Sequence, residues 1–418
     1  MARSLPLHSA QPPVNQEFSN HEFSTSQKHG ISANSLEWKL LLAATAASPT
    51  ENYRIRSLLH AQNGQGIDWQ SLFRSADFHG ISSVLYQNLA ACSDMVPPQV
   101  LESLRQRYAT NVQKSLFLAR ELIRILDCAR ALGIELIPYK GVVLSEAYHG
   151  DMALRPAGDI DLFVRKRDLI RTRSALRELG YVPSLPILES SEADYIASGY
   201  EYSFDGPAGK HLLELQWALQ PRYYAVDYDM DGLFARAADV VAAGRSLRIP
   251  SREDLLMVLC VHAAKHVWGR LIWLCDIAQI LKRDLNFDAV LLRAHELGIA
   301  RILHVTLLLA NRFIEAPIPG PVEPAIRADH AASALAEEIA SSVIPGVCWE
   351  DEKLSYFRLM MRLRERRRDQ LRFLMRLTFT PGPGEWQAVK LPRALSPLYR
   401  AVRMARLAAR FIREFPQA

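Results

Sequence analysis

Read by the spacing of its apolar positions, the 418-residue chain is mostly helical around one short region of strand pattern. Residues 1–33 are rich in Ser, Asn, Gln, His and Pro without periodicity, which predicts a disordered tail. From Ser35 onward, Leu36, Leu40, Ala43 and Ala44 mark one helix face. Asp68 is placed to cap a helix over 69–77 carrying Leu72, Phe73 and Ala76, and after His79-Gly80 another helix spans 81–91. A long helix over 99–132, with Leu116, Leu118, Leu122, Ile125 and Leu126 at helical spacing, ends at Gly133.

The period then changes. An apolar run at 134–138 leads into Lys140-Gly141, a helix-like segment follows at 142–148, and a passage with Gly150, Pro156 and Gly158 precedes a second apolar run at 160–164. The order is strand, glycine turn, helix, loop, strand. Asp159 and Asp161 are two residues apart, so on a strand both carboxylates share one face while Ile160 and Leu162 enter the core. Two acids on one face repel each other unless a cation lies between them, and a hard divalent metal with oxygen ligands is the usual resolution. Gly141, opening the preceding helix, lets backbone N–H groups approach an anion. An isolated Asp-x-Asp is common on solvated strand ends. Here it sits in an apolar context behind Lys-Gly and Arg155, which favours a metal–nucleotide site.

Further on, 165–179 is an amphipathic helix ended by Gly180, and 200–204 and 211–217 are strands joined by a turn at 205–209. In HLLELQW, Leu213, Leu215 and Trp217 share one face; Leu212, Glu214 and Gln216 share the other. Glu214 is the candidate third carboxylate, with Glu201 and Asp205 next in line; a merely solvated acid is the competing reading. Pro250 and Ser251 to Asp254 mark a helix start and a domain boundary. The helix that follows holds His262, Lys265 and His266, with Trp273 and Asp276 beyond. A zinc-protease site needs Glu directly after the first histidine, where Ala263 stands, so the histidines read as core or substrate-pocket residues.

The pattern KG-x(13)-R-x(3)-DIDLFV over 140–164 resembles the uncharacterised nucleotidyltransferase family of the polymerase-β-like superfamily. The superfamily signature is an apolar-Gly-Gly/Ser turn, then Asp-x-Asp/Glu and a later third carboxylate. Gly141, Asp159 and Asp161 match it; Val142 stands where Gly or Ser is usual, and the interval to Asp159 is longer, as in the branch that carries Lys-Gly. Glu214 and Gln216 stand where the family shows Asp and His. The H-x-x-K-H…W-x-x-D segment and the region 377–407 are also similar to family sequences.

The resemblance implies an α+β fold. A small mixed-sheet polymerase-β-like core at 134–250 would be flanked by helical regions at 34–133 and 251–345 and a basic helical region at 346–418. It implies transfer of an NMP, with ATP the expected donor, to a hydroxyl, phosphate or similar acceptor with release of pyrophosphate. Mg²⁺ or Mn²⁺ would sit on Asp159 and Asp161, with Glu214 as ligand or general base; Lys140, Gly141, Arg155 and Lys265 would hold the triphosphate. Two other readings stay open: an inactive nucleotide- or partner-binding protein of the same fold, and a peptide-tailoring or protein-adenylylating enzyme.

Composition adds three points. At 49% hydrophobic and 23% charged the chain is ordinarily globular. Cys92, Cys128, Cys260, Cys275 and Cys348 are scattered and lack Cys-x-x-Cys spacing, so reduced thiols in a cytoplasmic protein are expected. No apolar run approaches the roughly 18 residues of a membrane span, and no secretory apolar segment is evident. The net charge of +5 is uneven: residues 353–418 hold sixteen basic and four acidic residues, a net +12, leaving −7 for the rest. That segment is either a solvated face or a surface for an anionic partner, be it RNA, an acidic peptide or a membrane patch.

Overall fold

A computed structural model describes residues 32–46, 52–60, 66–185, 189–209, 211–344, 354–389 and 391–414. Most of the tail expected at 1–33, and Cys348, lie outside the described residues. The fold is α+β, with a small mixed sheet between helical flanks, as expected.

On the N-terminal side stand helices Leu36–Ala46, Tyr53–His60, Trp69–His79, Ser82–Ala90 and the 34-residue Pro98–Ala131. Their starts follow local chemistry. Asp68 accepts from the Ser71 N–H at 3.0 Å, satisfying one of the donors a helix start leaves unpaired. In Pro98–Ala131, Leu118, Leu122, Ile125 and Leu126 are buried, whereas Leu116 falls off that face and is exposed. The buried face packs against β2 (Asp159–Val164) and helix Leu169–Glu178.

The sheet has the order β1-β2-β5-β4-β3, with β1 at Leu136–Pro138, β3 at Val182–Pro183, β4 at Glu201–Asp205 and β5 at Leu212–Gln216. Strands β1 and β2 are antiparallel, β2 and β5 parallel, and β4 antiparallel to both β5 and β3. Leu162, Phe163 and Val164 of β2 are fully buried, as suits an interior strand; each contributes about 1.5–3 kcal/mol relative to exposure. A second sheet, the hairpin β6 (Ala238–Ala242) and β7 (Arg245–Ile249), went unread in the sequence. Its two-residue turn, Ala243-Gly244, has φ of 51° and 69°, the twist that matches a right-handed hairpin.

Beyond the sheet run helices Arg252–Lys265, Leu271–Leu281, Phe287–Leu297, Ala300–Ile314 and His330–Val343. The basic region holds two helices, Leu354–Arg362 and Arg367–Phe379, followed by Tyr399–Glu414. Leu359, Met360 and Leu363 are buried in the first, but Leu371, Leu374 and Met375 of the second face solvent rather than the core. Cys92, Cys260 and Cys275 are buried and Cys128 half-buried, all as free thiols. Among the described residues no helix is long and apolar enough to cross a membrane.

Candidate functional site

The site is a consequence of strand register. Asp161 lies opposite Glu214 across the parallel β2–β5 pair, and Asp159 opposite Leu212. Residues paired across neighbouring strands point to the same face, with strands about 4.8 Å apart, so the acids at 159, 161 and 214 must converge. Their carboxylate oxygens lie within 4.8 Å of one another. A one-residue slip would turn Glu214 to the opposite face; Leu213 and Leu215, both fully buried there, hold the register.

Asp161 is buried, while Asp159 and Glu214 keep partial access to solvent. Burial, with Asp161 alongside, pushes the Asp159 carboxyl up to about 6, although Lys140, Arg155 and Lys114 pull the other way. Burial also pushes Glu214 well above the usual carboxylate range, reinforced by Glu201, Asp161 and Asp159. The cluster therefore lacks positive charge.

Part of that charge comes from Lys140, whose Nζ donates to Asp161 Oδ1 at 3.1 Å. Burial works against the ammonium, but Asp161, Glu214 and Asp159 outweigh it and hold the Lys140 pKa above its ordinary value. Next to Lys140, Gly141 turns the chain at φ 61°, a conformation that strains any residue with a Cβ. Helix Gly141–Leu144 starts there and passes into a wider π turn at Ser145–His149.

Gln216 ties the acids together. Its Nε2 donates to Glu214 Oε2 at 3.0 Å and to Glu201 Oε2 at 3.2 Å, and its Oε1 accepts from the Tyr139 hydroxyl at 2.8 Å. Two donors on two carboxylates fix which way the amide points. The Tyr139 hydroxyl also lies 3.3 Å from Asp161 Oδ1, and burial keeps this phenol protonated. Glu201 in turn accepts from Tyr200 at 2.5 Å, and Tyr200 accepts from Lys265 Nζ at 2.6 Å. Lys265, expected at the phosphates, thus rests on Tyr200, also over its ring at 4.7 Å from the centroid.

Arg155 is buried and its Nε donates to both oxygens of Asp276, at 3.0 and 2.8 Å. Asp276, fully buried, also takes a 2.8 Å contact from His149 Nε2. Burial alone would raise its pKa; Arg155 and His149 reverse that and hold it below the usual range. The Nη groups of Arg155 have no hydrogen-bond partner among the described residues, and their charge reaches Asp161 and Asp159.

His262, His266 and Trp273 pack as a triangle with ring centroids 4.9–5.4 Å apart. Burial, together with the nearby Lys140 and Lys265, holds both imidazoles well below their usual pKa, so they are neutral at pH 7. Among the described residues the one group of three or more side chains placed so that it could hold a metal is Asp159, Asp161 and Glu214, and neither histidine belongs to it. The chain turns back to Trp273 through two left-handed residues, Val267 and Trp268, at φ 50° and 49°. Such strain is sustained by its surroundings: Trp268 is fully buried and donates to Thr306 Oγ1 at 2.9 Å.

Four members of this site, Tyr139, Tyr200, Gln216 and Asp276, carry roles that the sequence reading did not assign. Gln216 could have been found from parity alone, since it shares the face of Glu214. The Asp276–Arg155 pair spans 121 residues, and nothing local signals it.

No curated protein and no solved structure matches the chain. A family whose members are described as uncharacterised nucleotidyltransferases does match, over residues 65–315. That interval contains the whole β1–β5 sheet, the three acids and every side chain bonded to them, and it is well over half of the chain. On the strength of that match, this protein belongs to the uncharacterised nucleotidyltransferase family.

Proposed function

We propose that the protein transfers an NMP from a nucleoside triphosphate, with ATP as the donor, to an acceptor and releases pyrophosphate. The observation that carries this reading is the convergence of Asp159, Asp161 and Glu214 beside Lys140 at the end of a glycine turn. The donor set fits a hard divalent cation. It is all oxygen, and two of its carboxyls are pushed up for want of positive charge. Asp159, Asp161 and Glu214 would hold Mg²⁺ or Mn²⁺, which when bound neutralises charge on the leaving pyrophosphate and acidifies the acceptor.

The remaining tasks fall to the chain. Lys140 holds Asp161 in place, Gly141 gives the turn a φ that residues with a Cβ rarely adopt, and the Nη groups of Arg155 would meet the triphosphate. Lys265 supplies a further cation. The acceptor oxygen attacks the α-phosphorus, the bond to the bridging oxygen breaks, and pyrophosphate leaves with that electron pair. The acceptor's proton passes to Glu214, an acid of this face that keeps partial access to solvent.

The test is incubation with each α-labelled nucleoside triphosphate, Mg²⁺ or Mn²⁺ and a fractionated cell extract. Label should move to an acceptor with wild type and not with Asp161→Asn. Metal-dependent nucleotide binding without transfer to any fraction would instead support a binding protein of this fold, a reading that Val142 in place of Gly or Ser favours. Label on macromolecules would identify a protein- or peptide-modifying enzyme.

A further inference from the structure

Helix Arg367–Phe379 has two apolar faces. Phe373 and Leu377 turn inward and are buried. On the opposite side Leu371, Leu374, Met375 and Phe379 are 61%, 48%, 50% and 39% exposed. Positions i, i+3, i+4 and i+8 form one stripe along a helix. Of the fifteen large hydrophobic side chains exposed among the described residues, eight lie between 371 and 404, so the apolar surface is gathered here.

The charge of the region is distributed unevenly around that stripe. Five of its arginines are held in ion pairs: Arg366 with Asp369, Arg372 and Arg376 with Asp227, and Arg403 and Arg406 with Glu385. Arg367 and Arg368 are exposed and have no carboxylate partner among the described residues. They extend the stripe by one turn, since Arg367, Leu371, Met375 and Phe379 follow one another at i+4.

We propose that this face docks on an anionic lipid bilayer. The Leu, Met and Phe side chains would enter the boundary between headgroups and acyl chains, and Arg367 and Arg368 would meet lipid phosphates. The occupant follows from both features together. A nucleic acid would use the arginines and leave the aliphatic stripe in water. A second copy packed stripe to stripe would bring no surface carboxylate of that face to Arg367 and Arg368. Among the described residues no helix is long and apolar enough to span the bilayer, so this face would attach at its surface.

The test is co-sedimentation of the full chain with vesicles of phosphatidylcholine alone or with equal parts of phosphatidylglycerol. Binding should be at least about tenfold tighter to the anionic vesicles and weaken as salt rises. Leu371→Ser with Met375→Ser should abolish it without changing the melting temperature, because both side chains are exposed. Arg367→Gln with Arg368→Gln should remove its salt dependence. The proposal is overturned if anionic vesicles are not bound, or if the serine double variant binds them as wild type does. It also fails if homopolymeric RNA is bound in a way the arginine variant loses and the serine variant keeps. Dimerisation that the serine variant disperses, without vesicle binding, would likewise overturn it.

Discussion

The Nζ of Lys140 lies 3.1 Å from Oδ1 of Asp161, and both side chains are almost completely buried. Breaking a buried pair by removing one partner costs about 3–5 kcal/mol, because an uncompensated charge stays behind. Lys140→Met should therefore lower the melting temperature, and more at pH 8 than at pH 5. The lysine is charged at both values, since its folded pKa is raised. The pH dependence comes from the carboxyls, which can relieve the loss by binding protons only on the acidic side. Millimolar Mg²⁺ should restore much of the stability at pH 8. Equal losses at both pH values, with no metal effect, would show that Lys140 is not the countercharge of this cluster.

A second expectation concerns wild type. Asp159 holds its proton to about 6 in the folded chain, whereas an unfolded aspartate releases it near 3.8. The folded state binds the extra proton, so this group's contribution to stability falls as pH rises from about 4 through 6. A divalent cation competes with that proton. The rise in melting temperature on adding Mg²⁺ should be small at pH 5 and large at pH 7.5, and Asp159→Asn should flatten the difference. Thermal melts across this range check it; a metal shift of constant size would place the cation elsewhere.

Much of the fold was legible because its signals are local. The i, i+2 spacing of Asp159 and Asp161, the parity of Leu213, Glu214 and Leu215, and the Asp68 cap each depend on a few neighbouring residues. The hairpin of β6 and β7 was missed because its turn is Ala243-Gly244, without the Asn-Gly or Asp-Gly that usually announces one. The exposed stripe at Leu371 to Phe379 could not be told from core in the sequence, because periodicity shows that apolar residues share a face, not which face meets the protein. The partners of Arg155 and Lys265 depend on tertiary contacts spanning 121 and 65 residues, which no local pattern encodes.

Arg155 and Asp276 allow a separate test. Because Asp276 is fully buried and fixes the Arg155 Nε, Asp276→Asn should destabilise the protein by about 3–5 kcal/mol. If Arg155 meets the triphosphate, the same variant should weaken nucleotide binding at temperatures where it is still folded, leaving Mg²⁺ affinity unchanged. Calorimetric titration with a non-hydrolysable triphosphate reads both. Nucleotide affinity equal to wild type would confine this pair to a structural role.

The sharpest question is what Glu214 and Gln216 do together. If Glu214 is the proposed general base, Glu214→Gln should lower kcat by ~10²-fold or more with little change in nucleotide affinity, since such assistance is worth 10²–10⁴. Glu214→Asp is the more informative change. The acid would be preserved but would retreat from Gln216 Nε2, now 3.0 Å away, so activity should fall partially. Gln216 acts through the carboxylate it holds. Gln216→Leu should therefore lower kcat while leaving KM for the nucleotide nearly unchanged, and should move the acidic limb of the pH–rate profile, because Glu214 and Glu201 would lose their shared donor. Gln216→His can still donate to one of them and should recover part of the rate. A leucine variant that loses activity only in proportion to its folded fraction, with an unmoved pH profile, would make Gln216 a packing residue. If both Glu214 variants also turn over as wild type does, the base lies on β4, where Glu201 is the acid already joined to the same amide.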